Sequence, residues 1–268
     1  MIKVVKLGGE LLEDADALRV AARGIAALAA AGPVAVVHGG GRAIDADLKA
    51  RGQSPRFVDG LRITDAETLN TVVAVLAGRI NTALVAALVW AGVKAVGLTG
   101  ADAGLGLSDL AAPLQTTAGT IADLGLVGVP RDDAPARLLI DLLELGYVPV
   151  IASVGIDGEG RLLNVNADTL ASHLARAAGA GELIVAGKTA GVFDAAGVTC
   201  PRLDAREAQA MVAAGTARDG MVAKLTACLA ALDGGVGRVR IVDGRAGDYE
   251  AAGGTTIAGT SERELTKC

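Results

Sequence analysis

Histidine is almost missing from this 268-residue chain, which has only His38 and His173. Two imidazoles cannot build a histidine-rich metal site, and they leave little choice of a general base. Cysteine is scarce as well. Cys200, Cys228 and Cys268 are odd in number and far apart, which fits neither a zinc pattern nor a disulfide framework. Aromatic residues are limited to two Phe, two Tyr and one Trp, and the net charge is −5 with no basic stripe. A nucleic-acid surface needs a basic footprint and usually stacking platforms, so no nucleic-acid partner is expected. The hydrophobic fraction is high, 51%, yet it is mostly Ala and Val at helical or strand spacing. No run of about twenty apolar residues appears; the longest candidate, 82–98, is broken by Gly92 and Lys94. A secretory signal is also missing, because Met1 leads at once into Ile2-Lys3-Val4-Val5-Lys6-Leu7. The expectation is a cytoplasmic chain without a membrane partner.

What the chain does have is a concentration of small amides near its middle, in Arg161–Leu170, RLLNVNADTL. Side chains alternate along a strand, so an extended segment here puts Asn164, Asn166 and Asp168 on one side. Leu170, Leu174 and Ala178 then mark a helix ending at Gly179. Two amides and a carboxylate are thereby delivered to the mouth of a helix. Plain capping chemistry explains the same residues equally well.

Elsewhere strands run into glycines and then into helices. Residues 2–7 read as a buried strand ending at Gly8-Gly9, and Leu18, Ala22, Ile25 and Leu28 follow at helical spacing. Residues 33–37 repeat the pattern into His38-Gly39-Gly40-Gly41, with Ile44 and Leu48 opening the next helix. Asp65 caps a long helix with the stripe Leu69, Val72, Val73, Leu76, Ile80 and Leu84. Residues 101–131 suggest hairpins or an excursion. Pro135 opens a helix stopped by Gly146, and 147–153 reads as a strand. Residues 182–186 and 238–242 are further strands; 203 onward and 222–232 are helical. This predicts an α/β fold with an open, mainly parallel sheet sandwiched by helices. Motif content changes near residue 155 without a linker, so two lobes sharing a central sheet are expected.

In such sheets, ligands bind off the carboxyl ends of strands. Glycines let backbone N–H groups approach a phosphate, and helix N-termini favour anions. Lys6, at the end of an apolar strand, and Lys224, at the start of an apolar helix, add charge to these turns. A stem that snorkels to water is the plain alternative for each. Gly187-Lys188-Thr189 is not a phosphate-binding P-loop, because its first glycine would fall on Glu182.

Taken in order, these pieces resemble the amino-acid kinase family. They are Val5-Lys6-Leu7-Gly8-Gly9, Val37-His38-Gly39-Gly40-Gly41, Gly60-Leu61-Arg62-Ile63-Thr64, Asn164-Val165-Asn166-Ala167-Asp168 and Asp219-Gly220-Met221-Val222-Ala223-Lys224. The resemblance covers nearly the whole chain, and joint occurrence is specific where single pieces are not. It implies ATP-dependent phosphorylation of the side-chain carboxylate of N-acetyl-L-glutamate in arginine biosynthesis. Lys6 and Lys224 would stabilise charge on the transferring group, and Asp168 would hold both ammonium groups. Backbone N–H groups around Gly8, Gly9, Gly40 and Gly41 would receive phosphoryl group and substrate. Arg62 would pair with the α-carboxylate, where a bidentate fork suits a planar anion. Asn164 would hydrogen-bond the same substrate. ATP would lie along Lys188, Thr189, Gly191, Val192 and Phe193 and along Thr216, Ala217 and Arg218. Mg²⁺ would ride on its phosphates, with no metal site on the protein. Residues 1–155 would then bind the acyl-amino acid and dimerise, and 156–268 would bind ATP. A carboxylate is already nucleophilic at neutral pH, so the histidine-poor composition is no obstacle.

The resemblance carries two further expectations. Arginine-inhibited relatives have a helix before the first strand; here that strand begins at Ile2, which points to a homodimer paired through 69–88 and insensitive to arginine. Relatives also usually carry an acidic residue after the strand 183–186, where this chain has Gly187-Lys188. That departure keeps open a silent sensor that binds amino acid or nucleotide without phosphoryl transfer. A sibling kinase for another N-acyl-glutamate or an aminoadipate-type substrate is the other alternative.

Overall fold

The computed structural model describes residues 1–116, 119–194, 196–217 and 220–259. The chain begins with β1 (Lys3–Leu7), α1 (Ala15–Ala31), β2 (Val34–His38) and α2 (Gly41–Ala50). A hairpin of β3 (Phe57–Val58) and β4 (Leu61–Arg62) precedes one long helix in three parts. These are α3 (Ala66–Val73), a π-helical stretch (Ala74–Ile80) and α4 (Asn81–Trp90). After β5 (Ala95–Thr99) comes the excursion, with β6 (Ser108–Leu110), β7 (Leu114–Gln115), β8 (Ile121–Ala122) and β9 (Val127–Pro130). Next are α5 (Arg137–Glu144), β10 (Val148–Ala152), β11 (Val154–Ile156), β12 (Leu162–Val165) and α6 (Ala167–Ala177). The remainder comprises β13 (Glu182–Gly187), β14 (Val192–Phe193), β15 (Thr199–Cys200), β16 (Arg202–Asp204) and α7 (Ala205–Ala213). It closes with α8 (Gly220–Asp233), β17 (Arg238–Asp243) and β18 (Gly254–Ala258).

Eight strands make one continuous sheet, ordered β16-β18-β17-β13-β1-β2-β10-β5. From β17 to β5 every pair is parallel, and β18 runs antiparallel to β17. β1 lies between β2 and β13, so the glycine turns after all three strands converge on one edge. Period two sorts the side chains between the faces. Val4, Leu183 and Val185 pack with Leu170, Leu174 and Leu225; Val5, Leu7 and Ile184 pack with Ile25, Leu84 and Leu88. Lys6 shares the parity of Val4, so it belongs to the α6 face. That parity fixes which helix it can meet.

Local signals place the helices. Asp14 and Asp65 each cap a first turn, accepting from Ala17 N–H and Thr68 N–H. The long helix is long and apolar enough to cross a membrane by length and composition, yet it lies against α1, β5 and β10. Three expectations need correction. Leu203 lies in β16 rather than in a helix, and α8 starts at Gly220 instead of Val222. The row Asn164, Asn166, Asp168 is not one extended face, because the strand stops at Val165. Asn166 is the cap of α6, and Asp168 lies in its first turn.

Candidate active site

That capping turn is what aims Asp168. Asn166 Oδ1 accepts from the N–H groups of Asp168 and Thr169, which fixes the first turn of α6 over β1. Asp168 Oδ1 then stands 3.0 Å from Lys6 Nζ, with both side chains largely buried. Close by, Lys224 is also mostly buried near the start of α8. Burial lowers its pKa first and repulsion from Lys6 adds to this, while Asp168 and Glu10 oppose the shift. Gly187 gives these groups room. A Cβ there would sit 3.1 Å from Glu10 Oε1 and 3.6 Å from Lys224 Nζ.

Glu10 follows Gly8-Gly9 directly, and its carboxylate accepts from the N–H of Lys188 at 3.0 Å. Burial acts to raise its pKa, but hydrogen bonds from the N–H groups of Glu10 and Lys188 and the charges of Lys6 and Lys224 lower it on balance. The two glycine turns also touch. A Cβ on Gly9 would come within 2.8 Å of Gly40 Cα, so backbone leaves no space for a side chain there, and one on Gly40 would meet the side-chain ends of Ile80 and Leu76. The N–H of Gly8 donates to Ala186 O at 2.8 Å, so this expected phosphate donor is engaged inside the sheet.

A cleft of about 220 Å³ opens beside Lys6 and Asp168. Gly9, Gly40, Gly41, Arg62 and Asn164 all line it. Arg62 comes from the β3–β4 hairpin, whose register sets it opposite Phe57. The Phe57 ring centroid is 4.6 Å from the guanidinium carbon, a cation–π contact. Arg62 Nη2 reaches Asp45 Oδ1 at 2.7 Å and donates to Gly41 O at 3.2 Å. Its Nη1 is buried and has no hydrogen-bond partner among the described residues. Asn164 Nδ2 donates to Thr64 Oγ1 at 3.0 Å, tying β12 to the segment that carries Arg62.

A model of the amino acid kinase family matches residues 1–243. The chain belongs to this family. It is 39% identical over 246 residues to an acetylglutamate kinase of Methanoculleus marisnigri, covering 90% of this chain and 85% of that protein. It is 40% identical over 248 residues to an acetylglutamate kinase of Symbiobacterium thermophilum, covering 90% of this chain and 84% of that protein. Among solved structures it resembles the smu.665 protein of Streptococcus mutans, with a TM-score of 0.80 and 27% identity. That match covers 96% of this chain and 98% of the other.

Within this amino acid kinase, the residues expected beside ATP lie after β13 and before α8. Lys188, Phe193 and Thr216 are exposed, and Thr189 is partly so. Val192 and Ala217 are buried in the core, so only their backbones are available to a ligand. Gly191 has a positive φ of 118°, and a Cβ there would strike Thr255 Oγ1 at 2.6 Å. Arg218 lies outside the described residues, as does Asp219.

The sequence reading passed over Phe57, which lines the cleft, and Glu10 and Asn81, which support the surrounding turns. Phe57 was legible in principle, as one of only two Phe in the chain. Glu10 was legible as a charge set directly against a glycine pair. Asn81 was not. From the junction of the π-helical stretch and α4, its Nδ2 donates to Val150 O at 2.8 Å and lies 3.0 Å from His38 Nε2. Since Asn81 donates to Nε2, the His38 proton is on Nδ1, 3.1 Å from Gly39 O. Burial pushes the His38 pKa down to about 4, so the ring is a neutral brace beneath the glycine turn.

Proposed function

We propose that the chain transfers the γ-phosphoryl group of ATP to the side-chain carboxylate of N-acetyl-L-glutamate, yielding an acyl phosphate in arginine biosynthesis. One observation carries this reading. The Lys6–Asp168 pair and Arg62 line the same cleft. A short dicarboxylate fits such a site, with its α-carboxylate toward the Arg62 guanidinium and its side-chain carboxylate near Lys6. Asn164 and the Gly40–Gly41 backbone hold the substrate between them.

The carboxylate oxygen attacks the γ-phosphorus as the bond to the bridging oxygen of ADP breaks. No proton has to leave the nucleophile, so no base is needed. Lys6 and Lys224 stabilise the charge on the transferring group, and Asp168 keeps Lys6 in place. Mg²⁺ would be carried on the nucleotide phosphates. When bound, it would supply further charge neutralisation there.

We assign 1–155 to the acyl-amino acid and 156–268 to ATP, with Lys188, Thr189 and the backbones of Gly191 and Val192 facing the nucleotide. We place the chain in the cytoplasm as a homodimer. Ala74, Gly78, Ala86 and Val89 are exposed along the long helix, and small residues let two helices approach closely. Light scattering tests the dimer; a monomer excludes it. The catalytic test is ADP release dependent on N-acetyl-L-glutamate. Release that ignores this substrate, or none at all, would leave the sensor or a sibling kinase.

A further inference from the structure

The side chain of Glu10 folds back over the glycine turn that precedes it. A Cβ on Gly8 would lie 2.5 Å from its Oε1 and 2.6 Å from its Oε2, so the carboxylate fills the space beside the Gly8 backbone. Gly8 itself has an ordinary extended conformation, φ −64° and ψ 141°. What this glycine supplies is room. From there Oε1 accepts from the N–H of Lys188 at 3.0 Å, and the carboxylate also accepts from its own N–H. Gly187 keeps Oε1 and Lys224 Nζ on one side of its backbone, 3.1 Å and 3.6 Å from where a Cβ would stand. Burial works against ionisation of Glu10, but the two N–H groups and the charges of Lys6 and Lys224 outweigh it.

A half-buried anion is therefore held by backbone donors from two glycine turns and by two lysines. Such donors take carboxylate and phosphate alike. Lys6 lines the acyl cleft while Glu10 and Lys224 do not, so this anion position lies outside that cleft. Charge makes a second anion there compete with the first. Lys6, Lys224, Asp168 and Glu10 sum to zero, which offers a phosphate chain no net attraction. With the Glu10 carboxylate turned away, one net positive charge remains. Of the two acids, Asp168 is fixed by the capped first turn of α6 and by its 3.0 Å contact with Lys6. Glu10 is the movable one, because its side chain hangs from a single 3₁₀ turn, Gly9–Leu11.

We propose that Glu10 is an internal competitor of the nucleotide, its carboxylate and the terminal phosphates of ATP exchanging on one set of donors. Turning out, the side chain releases the Lys188 N–H and both lysines to the phosphates. Glu10 thereby sets nucleotide affinity. This rests on the placement of ATP proposed above.

The test is calorimetric titration of the full chain and of Glu10→Gln with tripolyphosphate, and with AMP-PNP in the presence and absence of Mg²⁺. Glutamine keeps an acceptor for the Lys188 N–H and removes only the charge. Glu10→Gln should bind tripolyphosphate and AMP-PNP about tenfold or more tightly than the parent, and KM for ATP should fall in parallel. Unchanged or weaker tripolyphosphate binding would overturn the proposal, even with normal ADP release, and would leave Glu10 as a latch between two turns. No tripolyphosphate binding by either protein at millimolar concentration would overturn it equally. Weaker binding of AMP-PNP only when Mg²⁺ is present would make Glu10 a metal ligand and also sink it. Tighter tripolyphosphate binding without any ADP release would support the competition while removing the assigned reaction.

Discussion

The carboxylate of Glu10 accepts a hydrogen bond from the backbone N–H of Lys188, 178 residues away, at 3.0 Å. The turn after β13 therefore has a carboxylate beside it even though its own residue is lysine. The Lys188 side chain is exposed, so its ammonium need not crowd Lys6 and Lys224.

Glu10 should make stability fall on the acid side. Its pKa is lowered in the folded chain, against the raising effect of burial, by hydrogen bonds from the N–H groups of Glu10 and Lys188 and by Lys6 and Lys224. The unfolded chain then binds a proton at higher pH than the folded one. The contribution is present above the ordinary carboxylate range, about pH 4.3, and is lost as pH falls through the lower folded value. Melting temperatures across the acid range should drop less for Glu10→Gln than for the parent. Equal slopes would show that the carboxylate is not held as described.

Removing either lysine that we propose to be catalytic should cost turnover rather than fold. Lys6→Ala and Lys224→Ala should each lower kcat by about two to three orders of magnitude, with circular dichroism unchanged. Because the Lys224 pKa is depressed by burial and by Lys6, its cation is lost at lower pH than an ordinary lysine's. The alkaline limb of kcat should therefore lie below the usual lysine range, and Lys224→Arg should move it upward. Near-normal kcat in either alanine variant would remove that lysine from the mechanism.

Arg62→Lys should raise KM for N-acetyl-L-glutamate by about tenfold or more, because a point charge cannot reproduce the fork between Asp45, Gly41 O and a ligand. KM for ATP should stay the same. A variant that weakens ATP instead would place Arg62 on the wrong side of the cleft.

Asn81→Leu should destabilise the chain by about 1–3 kcal/mol, since it leaves His38 Nε2 and Val150 O without their shared donor. The His38 pKa is lowered by burial to about 4. Between about pH 6.5 and about pH 4 the unfolded chain takes up a proton that the folded chain refuses, so stability falls with pH across that window. Urea titrations of His38→Asn should show a flatter dependence there. An unchanged slope would mean that His38 is not held neutral.

Sequence alone determined the pieces. Period two placed Lys6 on the same face as Val4, helical spacing located the buried stripes, and Asp65 announced its own cap. The alternation of strand, glycines and helix fixed a parallel sheet with its glycine turns at one edge. The same local rules misread 164–168, because a strand pattern and a cap pattern overlap until the chain is seen to turn at Asn166. Tertiary structure decided the pairings. Lys6 meets Asp168, Glu10 meets Lys188 and Asn81 meets His38 only because β1 lies between β13 and β2 and the long helix crosses β10. The hydrogen-bonding and packing periods of a helix or strand span a few residues, so they say which face a side chain takes. Strand order, set by how the whole chain buries its apolar surface, decides what that face meets.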